Sequence, residues 1–370
     1  MTIYWIALIC SLIFSFIVMV IKKKNNTELA FKDVFISLIP LFLIALFRWN
    51  IGTDVVYKTG FYYQEYSLIR IGYGNVFNYE IGFYYLMKIF CLLNIKIYYF
   101  YSFVTIISFI LLSKFIKDNC KYLPLAILIY FFADLYLFSF STLRQSLAIM
   151  ISLYSLSKMI NNNQFYKDIK WWIYSIVAIL FHNSIIYLLV MVLISKIRFN
   201  KKRLVLLMLI GFLIFPIVQY VLPKVLIYSN YFQKYTNTLY YTFDFTPSYF
   251  IIALFIFILA YINYDKLVES NKTNMYLINM TGLITIIMLN SQILLMPYRI
   301  FPLFIPVYLL FYDRLMAIIS VKNIFNKFLI ILVIISPFIF YFFNNYYRDK
   351  SNYKKFTYSS IFEYSNQINE

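Results

Sequence analysis

Residues 3–24 read IYWIALICSLIFSFIVMVIKKK, a run without a charged residue that closes on Lys22-Lys23-Lys24. A helix crossing a ~30 Å hydrocarbon core needs about 20 apolar residues, which is the length of this run. No basic stretch precedes it and no small-residue cleavage site follows it. It therefore reads as an uncleaved anchor with its N-terminus outside and its lysines in the cytoplasm.

Runs of the same kind recur along the chain. Hydrophobic residues make up 63% and charged residues 13%, and the mean hydropathy is +0.75. A soluble domain has no interior large enough for that much apolar surface. Barrel strands would alternate apolar and polar residues in ~10-residue units, and these runs do not. The expected class is an all-α polytopic integral membrane protein. The net charge of +18 sits in short loops, where it reports topology and contact with anionic lipid and not nucleic-acid binding. Cys10, Cys91 and Cys120 are odd in number, lie in or beside apolar runs and form no Cys-x-x-Cys pair, so neither a disulfide framework nor a metal site is expected.

Basic loops orient the remaining spans. Val34–Phe47 returns to the outside, and an aromatic, polar stretch from Arg48 to about Asn75 follows there. Val76–Leu93 carries Glu80 and Lys88 and reads as a helix lying at the outer interface. Read instead as a crossing, it would put the lysine-bearing 117–121 and 158–170 loops outside. The next spans are Ile97–Ile116, Leu123–Phe140 and Leu143–Ile160. Phe165–Ile197 has basic clusters at both ends, which a single crossing would place on opposite sides. A short helical hairpin turning at Phe181-His182-Asn183-Ser184 keeps both clusters inside. Leu204–Leu222, an outer loop to about Pro247, Ser248–Tyr264, Met275–Ser291, Ile300–Ile318 and Phe325–Phe343 complete about twelve transmembrane helices. Residues 1–343 form the membrane domain, and 344–370 form a polar extracytoplasmic tail carrying Arg348, Lys350, Lys354 and Lys355.

An ionisable group at membrane depth costs ~2.5–3.5 kcal/mol on insertion scales and so marks a pathway or a reaction site. On this topology the polar outliers gather at the outer face. Arg48, Asp54, Tyr57 and Glu80 lie in the first outer stretch, Arg144-Gln145 and Tyr298-Arg299 begin spans from outside, and His182 sits at the hairpin turn. Guanidinium forks suit phosphate or pyrophosphate oxygens. A carboxylate or neutral imidazole can take a proton from an attacking hydroxyl. The set fits activation of a sugar hydroxyl against a departing pyrophosphate, with no metal and no cofactor required. Each member also has a plain structural reading: turn chemistry for Asp54, snorkelling for Arg144, an inter-helix hydrogen bond for His182.

Five segments occur in order: Gly52-Thr53-Asp54-Val55-Val56-Tyr57 with Arg48 just before it, Glu80-Ile81-Gly82-Phe83, Leu143-Arg144-Gln145-Ser146-Leu147-Ala148, Leu180-Phe181-His182-Asn183-Ser184-Ile185, and Tyr298-Arg299. The series resembles the EpsG-like family within the Wzy-type bacterial polysaccharide polymerases, over roughly residues 30–315. The resemblance implies a multi-pass enzyme of the bacterial cytoplasmic membrane. Such an enzyme joins oligosaccharide repeat units carried on undecaprenyl pyrophosphate at the outer face, alongside a flippase and a chain-length regulator. It implies Arg144 and Arg299 on the departing pyrophosphate and His182 or Asp54 as the base. Arg48, Gln145, Tyr57, Glu80 and Tyr298 would hold the substrate. Two alternatives from other classes are a flippase for the same lipid-linked sugars and a membrane O-acyltransferase with a histidine base.

Overall fold

The computed structural model describes every residue except 163, 198, 222–223, 225–246, 292–296, 320–323, 349–355 and 363–370. The outer loop expected between Leu222 and Pro247, and Lys350, Lys354 and Lys355 of the tail, lie outside the described residues. Among the described residues the chain is helical, and its one isolated bridge, Arg48 with Ser360, belongs to no sheet. Backbone contacts cluster into two compact units, Met1–Ile186 with Ile330–Glu370, and Tyr187–Leu329.

The first unit holds α1 (Thr2–Asn25), α2 (Phe31–Leu46), α3 (Phe61–Arg70), α4 (Ile81–Leu92), α5 (Ile97–Asn119), α6 (Leu123–Phe132), α7 (Leu135–Ser141), α8 (Leu143–Asn161) and α9 (Ile169–Phe181). Helix α1 explains how so apolar a sequence chooses its faces. Tyr4, Ala7, Leu8, Ser11 and Ser15 form the buried stripe, while Ile6, Ile9, Ile13, Phe16, Ile17 and Val20 point outward. In lipid the outward face needs no burial, so small and polar residues take the inner stripe and let helices approach closely. The α1–α2 turn is built from charge and backbone. Asn26 adopts φ 50°, and Asp33 accepts from the Ala30 N–H at 2.7 Å while pairing with Lys22 at 2.7 Å. α1 packs on α2 and α6, α2 on α5, α5 on α8, and α8 on α9.

The tail belongs to this unit. The Trp49 N–H donates to the Ser359 carbonyl at 3.0 Å, and the Ile361 N–H donates to the Phe47 carbonyl at 3.1 Å. Tyr358 sets its edge against the Tyr4 ring, with centroids 5.9 Å apart. Upstream, the Tyr346 hydroxyl donates to Asp134 at 2.5 Å.

The second unit holds α11 (Lys201–Tyr220), α12 (Pro247–Ile262), α13 (Tyr264–Ser270), α14 (Asn274–Leu289) and α15 (Pro297–Ile318). α14 packs against α11, α12 and α15. α10 (Ile185–Ile194) starts at the boundary between the units, and its end is satisfied by Asn279, whose amide donates to the Ser195 and Ile197 carbonyls at 2.8 and 2.7 Å. α16 (Ile324–Phe343) leads back into the first unit.

The all-helical architecture agrees with the sequence reading, and the span count does not reach twelve. Among the described residues, 4 helices are long and apolar enough to cross a membrane, or up to 6 if each bent pair is one span. Local bends separate these two counts. The expected Leu123–Phe140 span bends by 46° where Asp134 takes φ 72°, and the chain bends by 67° between α12 and α13. Ile81–Leu92, Ile169–Phe181, Ile185–Ile194 and Asn274–Leu289 are apolar but short. α4, at 12 residues, measures about 18 Å at ~1.5 Å per residue, too short to cross and in keeping with a helix lying at the interface. The helix breaks at residues 182–184, where the hairpin turn is expected, and Tyr187–Leu329 is the second unit.

Candidate active site

The site forms where three helix ends meet in the first unit. Arg144 lies in the first turn of α8, His182 caps the end of α9, and Glu80 caps the start of α4. α8 packs on α9 and α4 packs on α9. A side chain on Gly82 would meet the Leu180 carbonyl oxygen at 2.8 Å, so only glycine lets α4 lie this close to α9.

The loop before α4 is fixed from both sides. Glu65 of α3 is fully buried and accepts from the Val76 and Phe77 N–H groups at 3.1 and 3.0 Å. Asn75 accepts from the Tyr79 N–H at 2.7 Å and donates to the Tyr79 carbonyl at 2.6 Å. Glu80 follows in an extended conformation and makes no cap bond to its own helix, which leaves its carboxylate to reach across.

That carboxylate joins two residues distant in sequence. One oxygen pairs with Arg144 Nη1, and the other lies 2.7 Å from His182 Nδ1 and 3.4 Å from the Asn183 N–H. The three side chains are 11%, 17% and 15% exposed for Glu80, Arg144 and His182, so the cluster is sheltered but reachable. Arg144 also lies over the Tyr79 ring, 4.3 Å from its centroid. An arginine in a helix's first turn faces the positive end of the helix dipole, and the Glu80 carboxylate offsets that repulsion.

Burial works to raise the Glu80 pKa, yet the His182 hydrogen bond and the Arg144 charge outweigh it and hold the carboxyl down at about 2. Glu80 is therefore ionised at neutral pH and can only accept. His182 Nδ1 must then carry a proton toward Glu80, and Nε2 is the nitrogen at which the ring gains or loses its second proton. A carboxylate that fixes the tautomer and steadies the imidazolium is the arrangement that makes histidine an effective general base.

The other expected site residues fall into three groups. Gln145 is buried beside Arg144, and its amide donates to Ser184 Oγ at 3.3 Å, tying the α8 start to the break after α9. Asp54 is also close by. Its charge and that of Arg144 both act on the Tyr62 and Tyr79 phenols, and Thr53 Oγ1 donates to its carboxylate at 3.1 Å. Gly52, at φ 95°, lets this loop lie against α7, where an added Cβ would meet the Phe140 oxygen at 2.7 Å. The Thr53 N–H donates to Ser141 Oγ at 3.2 Å. Tyr57 is half-buried in an aromatic group with Trp49 and Tyr63, at centroid distances of 5.8 and 5.0 Å.

Arg48 is placed differently. It is 5% exposed, donates to the Ala45 carbonyl at 2.7 Å, Thr105 Oγ1 at 3.1 Å and the Ser139 carbonyl at 3.4 Å, and lies over Phe140. Tyr298 and Arg299 belong to the second unit, at the start of α15, with the Arg299 guanidinium 5.8 Å from the Tyr298 ring centroid.

Sequence reasoning did not single out Tyr79, and it read Glu80 as substrate-binding; the structure places that carboxylate between His182 and Arg144. The available signal was the Tyr79-Glu80 pair set immediately before Gly82, which marks a carboxylate at a close helix approach.

Comparison with known proteins agrees with this ordered series of segments. The EpsG family model matches residues 33–365, nearly the whole chain, and the chain belongs to that family of polysaccharide polymerases. No curated protein and no solved structure is significantly similar to it.

Proposed function

We propose that this EpsG-family membrane protein polymerises lipid-linked oligosaccharide repeat units at the outer face of the bacterial cytoplasmic membrane, using Glu80, His182 and Arg144 as its reaction centre. The observation that carries the reading is the single Glu80 carboxylate bound by His182 on one oxygen and Arg144 on the other.

The reaction transfers a growing chain from undecaprenyl pyrophosphate to a hydroxyl of the incoming unit. His182 Nε2 takes the proton of the acceptor hydroxyl as its oxygen bonds to the anomeric carbon. The bond from that carbon to the pyrophosphate oxygen breaks, and negative charge collects on the departing group. Glu80 holds the Nδ1 proton and stabilises the imidazolium. Arg144 is the preorganised cation for the leaving pyrophosphate, a contribution that commonly amounts to ~10²–10³ in rate. Asp54 shapes the field around Tyr62, Tyr79 and Arg144, and the half-buried Tyr57 and Tyr63 rings, backed by the buried Trp49, offer faces on which sugar can stack.

The test is the size-resolved lipid-linked glycan profile of cells lacking the chain. Accumulation of one repeat unit, restored to a ladder by the wild type, is expected. His182→Gln keeps a hydrogen-bond donor but accepts no proton, so it should leave the single unit with a loss of at least ~10² in polymer formation. Near-normal ladders from His182→Gln would limit that residue to orientation. An unchanged ladder missing a decoration would point to acyl transfer, and repeat units trapped in the cytoplasm would point to a flippase.

A further inference from the structure

Tyr79 and Glu80 are neighbours in the chain and take hold of one guanidinium from two directions. Glu80 pairs with Arg144 at Nη1, on the edge of the group, while the Tyr79 ring lies against its face with the centroid 4.3 Å from Cζ. Arg144 Nε is buried and has no hydrogen-bond partner among the described residues, so it adds no further hold. An arginine fixed at one corner can still turn about that bond. A ring face stops the turn, because guanidinium and arene attract best when one lies over the other. Glu80 also serves His182 with its second oxygen. A carboxylate shared in this way sets the spacing of the two groups and not the tilt of the guanidinium.

The ring has little room to drift. Asn75 bonds both the N–H and the carbonyl of Tyr79. Tyr62, Phe77 and Phe83 pack around the ring at centroid distances of 5.7, 6.1 and 6.0 Å, and the residue is 6% exposed. The Tyr79 hydroxyl is buried and makes no hydrogen bond among the described residues, so the contact with Arg144 belongs to the π face.

We propose that Tyr79 is a positioning residue for the polymerisation assigned above, its ring holding the Arg144 guanidinium in the plane that meets the departing pyrophosphate. The role rests on that reaction. A guanidinium directs its N–H donors only within its own plane, so a tilt takes them off the leaving oxygens even while the charge stays in place. Tyr79 acts through Arg144 and touches no reacting atom.

Replacing Tyr79 by phenylalanine and by its mono-, di- and trifluorinated forms keeps the shape of the ring while fluorine withdraws charge from its face. The substrate is the single lipid-linked repeat unit extracted from cells lacking the chain, elongated by full-length protein in liposomes. Turnover per folded molecule should fall stepwise along the series, by about tenfold from phenylalanine to the trifluorinated ring. Tyr79→Phe should recover most of the turnover that Tyr79→Leu loses. Thermal unfolding in detergent reads the same contact without substrate. The melting temperature should drop along the series with Arg144 present and stay level in an Arg144→Met background. A flat turnover series overturns the positioning role. A flat melting series, or one that persists with Arg144→Met, overturns the contact itself. A wild type that elongates no unit overturns the reaction and the role with it, whatever the melting series shows.

Discussion

Arg48 and Arg144 look alike in the sequence, each a lone guanidinium at the edge of an apolar run, and the fold treats them in opposite ways. Arg48 is 5% exposed and directs its donors at the backbone carbonyls of Ala45 and Ser139 and at Thr105. These partners are permanent parts of the chain, so Arg48 ties the end of α2 to α5 and α7. Arg144 faces an ionised side chain that also holds an imidazole, and part of it remains reachable. A guanidinium bound to backbone oxygens is structural, whereas one bound to a carboxylate–imidazole pair is available to chemistry. The partner, more than the arginine, sets the role.

The contrast breaks most directly at Arg144. Arg144→Ala should reduce polymer formation by ~10²–10³ while the protein still inserts and accumulates. Normal polymer length in that variant would remove Arg144 from the mechanism. Glu80→Gln comes next, and it is best read through pH. The folded carboxyl sits at about 2 against an ordinary value of 4.5, so its ionised form stabilises the fold fully above about 4.5 and loses that effect as pH falls through 2. Wild type should therefore exceed Glu80→Gln by on the order of 3 kcal/mol at neutral pH, with the gap closing on acidification. Thermal unfolding in detergent across pH measures this, and a gap that stays flat would contradict the charge assignment.

Arg48→Met should act in the other currency, stability. Leaving the buried carbonyls without a donor should cost about 2 kcal/mol and lower the amount of folded protein. Polymer made per folded molecule should stay near normal, and a selective loss of turnover would erase the distinction between the two arginines. The smallest effect is expected at Gly82→Ala. The new methyl meets the Leu180 backbone and should push α4 from α9, costing roughly 1–3 kcal/mol and weakening the Glu80–His182 contact. Unchanged stability and unchanged polymer would mean that the close approach is not needed.

Much of this was readable in advance. The apolar runs required helices in a bilayer, and the basic clusters around Phe165–Ile197 required a break near His182, which is where the helix ends. Arg144 and His182 stood out because charge is costly at such positions. Glu80 was legible only as a substrate-binding candidate, since an acid near a membrane interface reads as solvated until its partners are known. The count of about twelve spans goes unconfirmed for a related reason. Hydropathy measures composition over a window, and it does not register the left-handed residue at Asp134 or the bend between α12 and α13.

The sequence by itself determined the class of the molecule, the apolar and polar stripes of its helices, and the residues too polar for their surroundings. These follow from local chemistry, the length of an apolar run and the cost of a charge in it. Only the tertiary structure decided that Glu80 meets residues 64 and 102 positions away, that Arg48 is locked among carbonyls, and that Trp49 is clasped by Ser359 of the distant tail. Those pairings depend on how closely α4, α8 and α9 approach one another. A charge takes its role from the partner that packing brings within a few ångströms, whatever their separation along the chain.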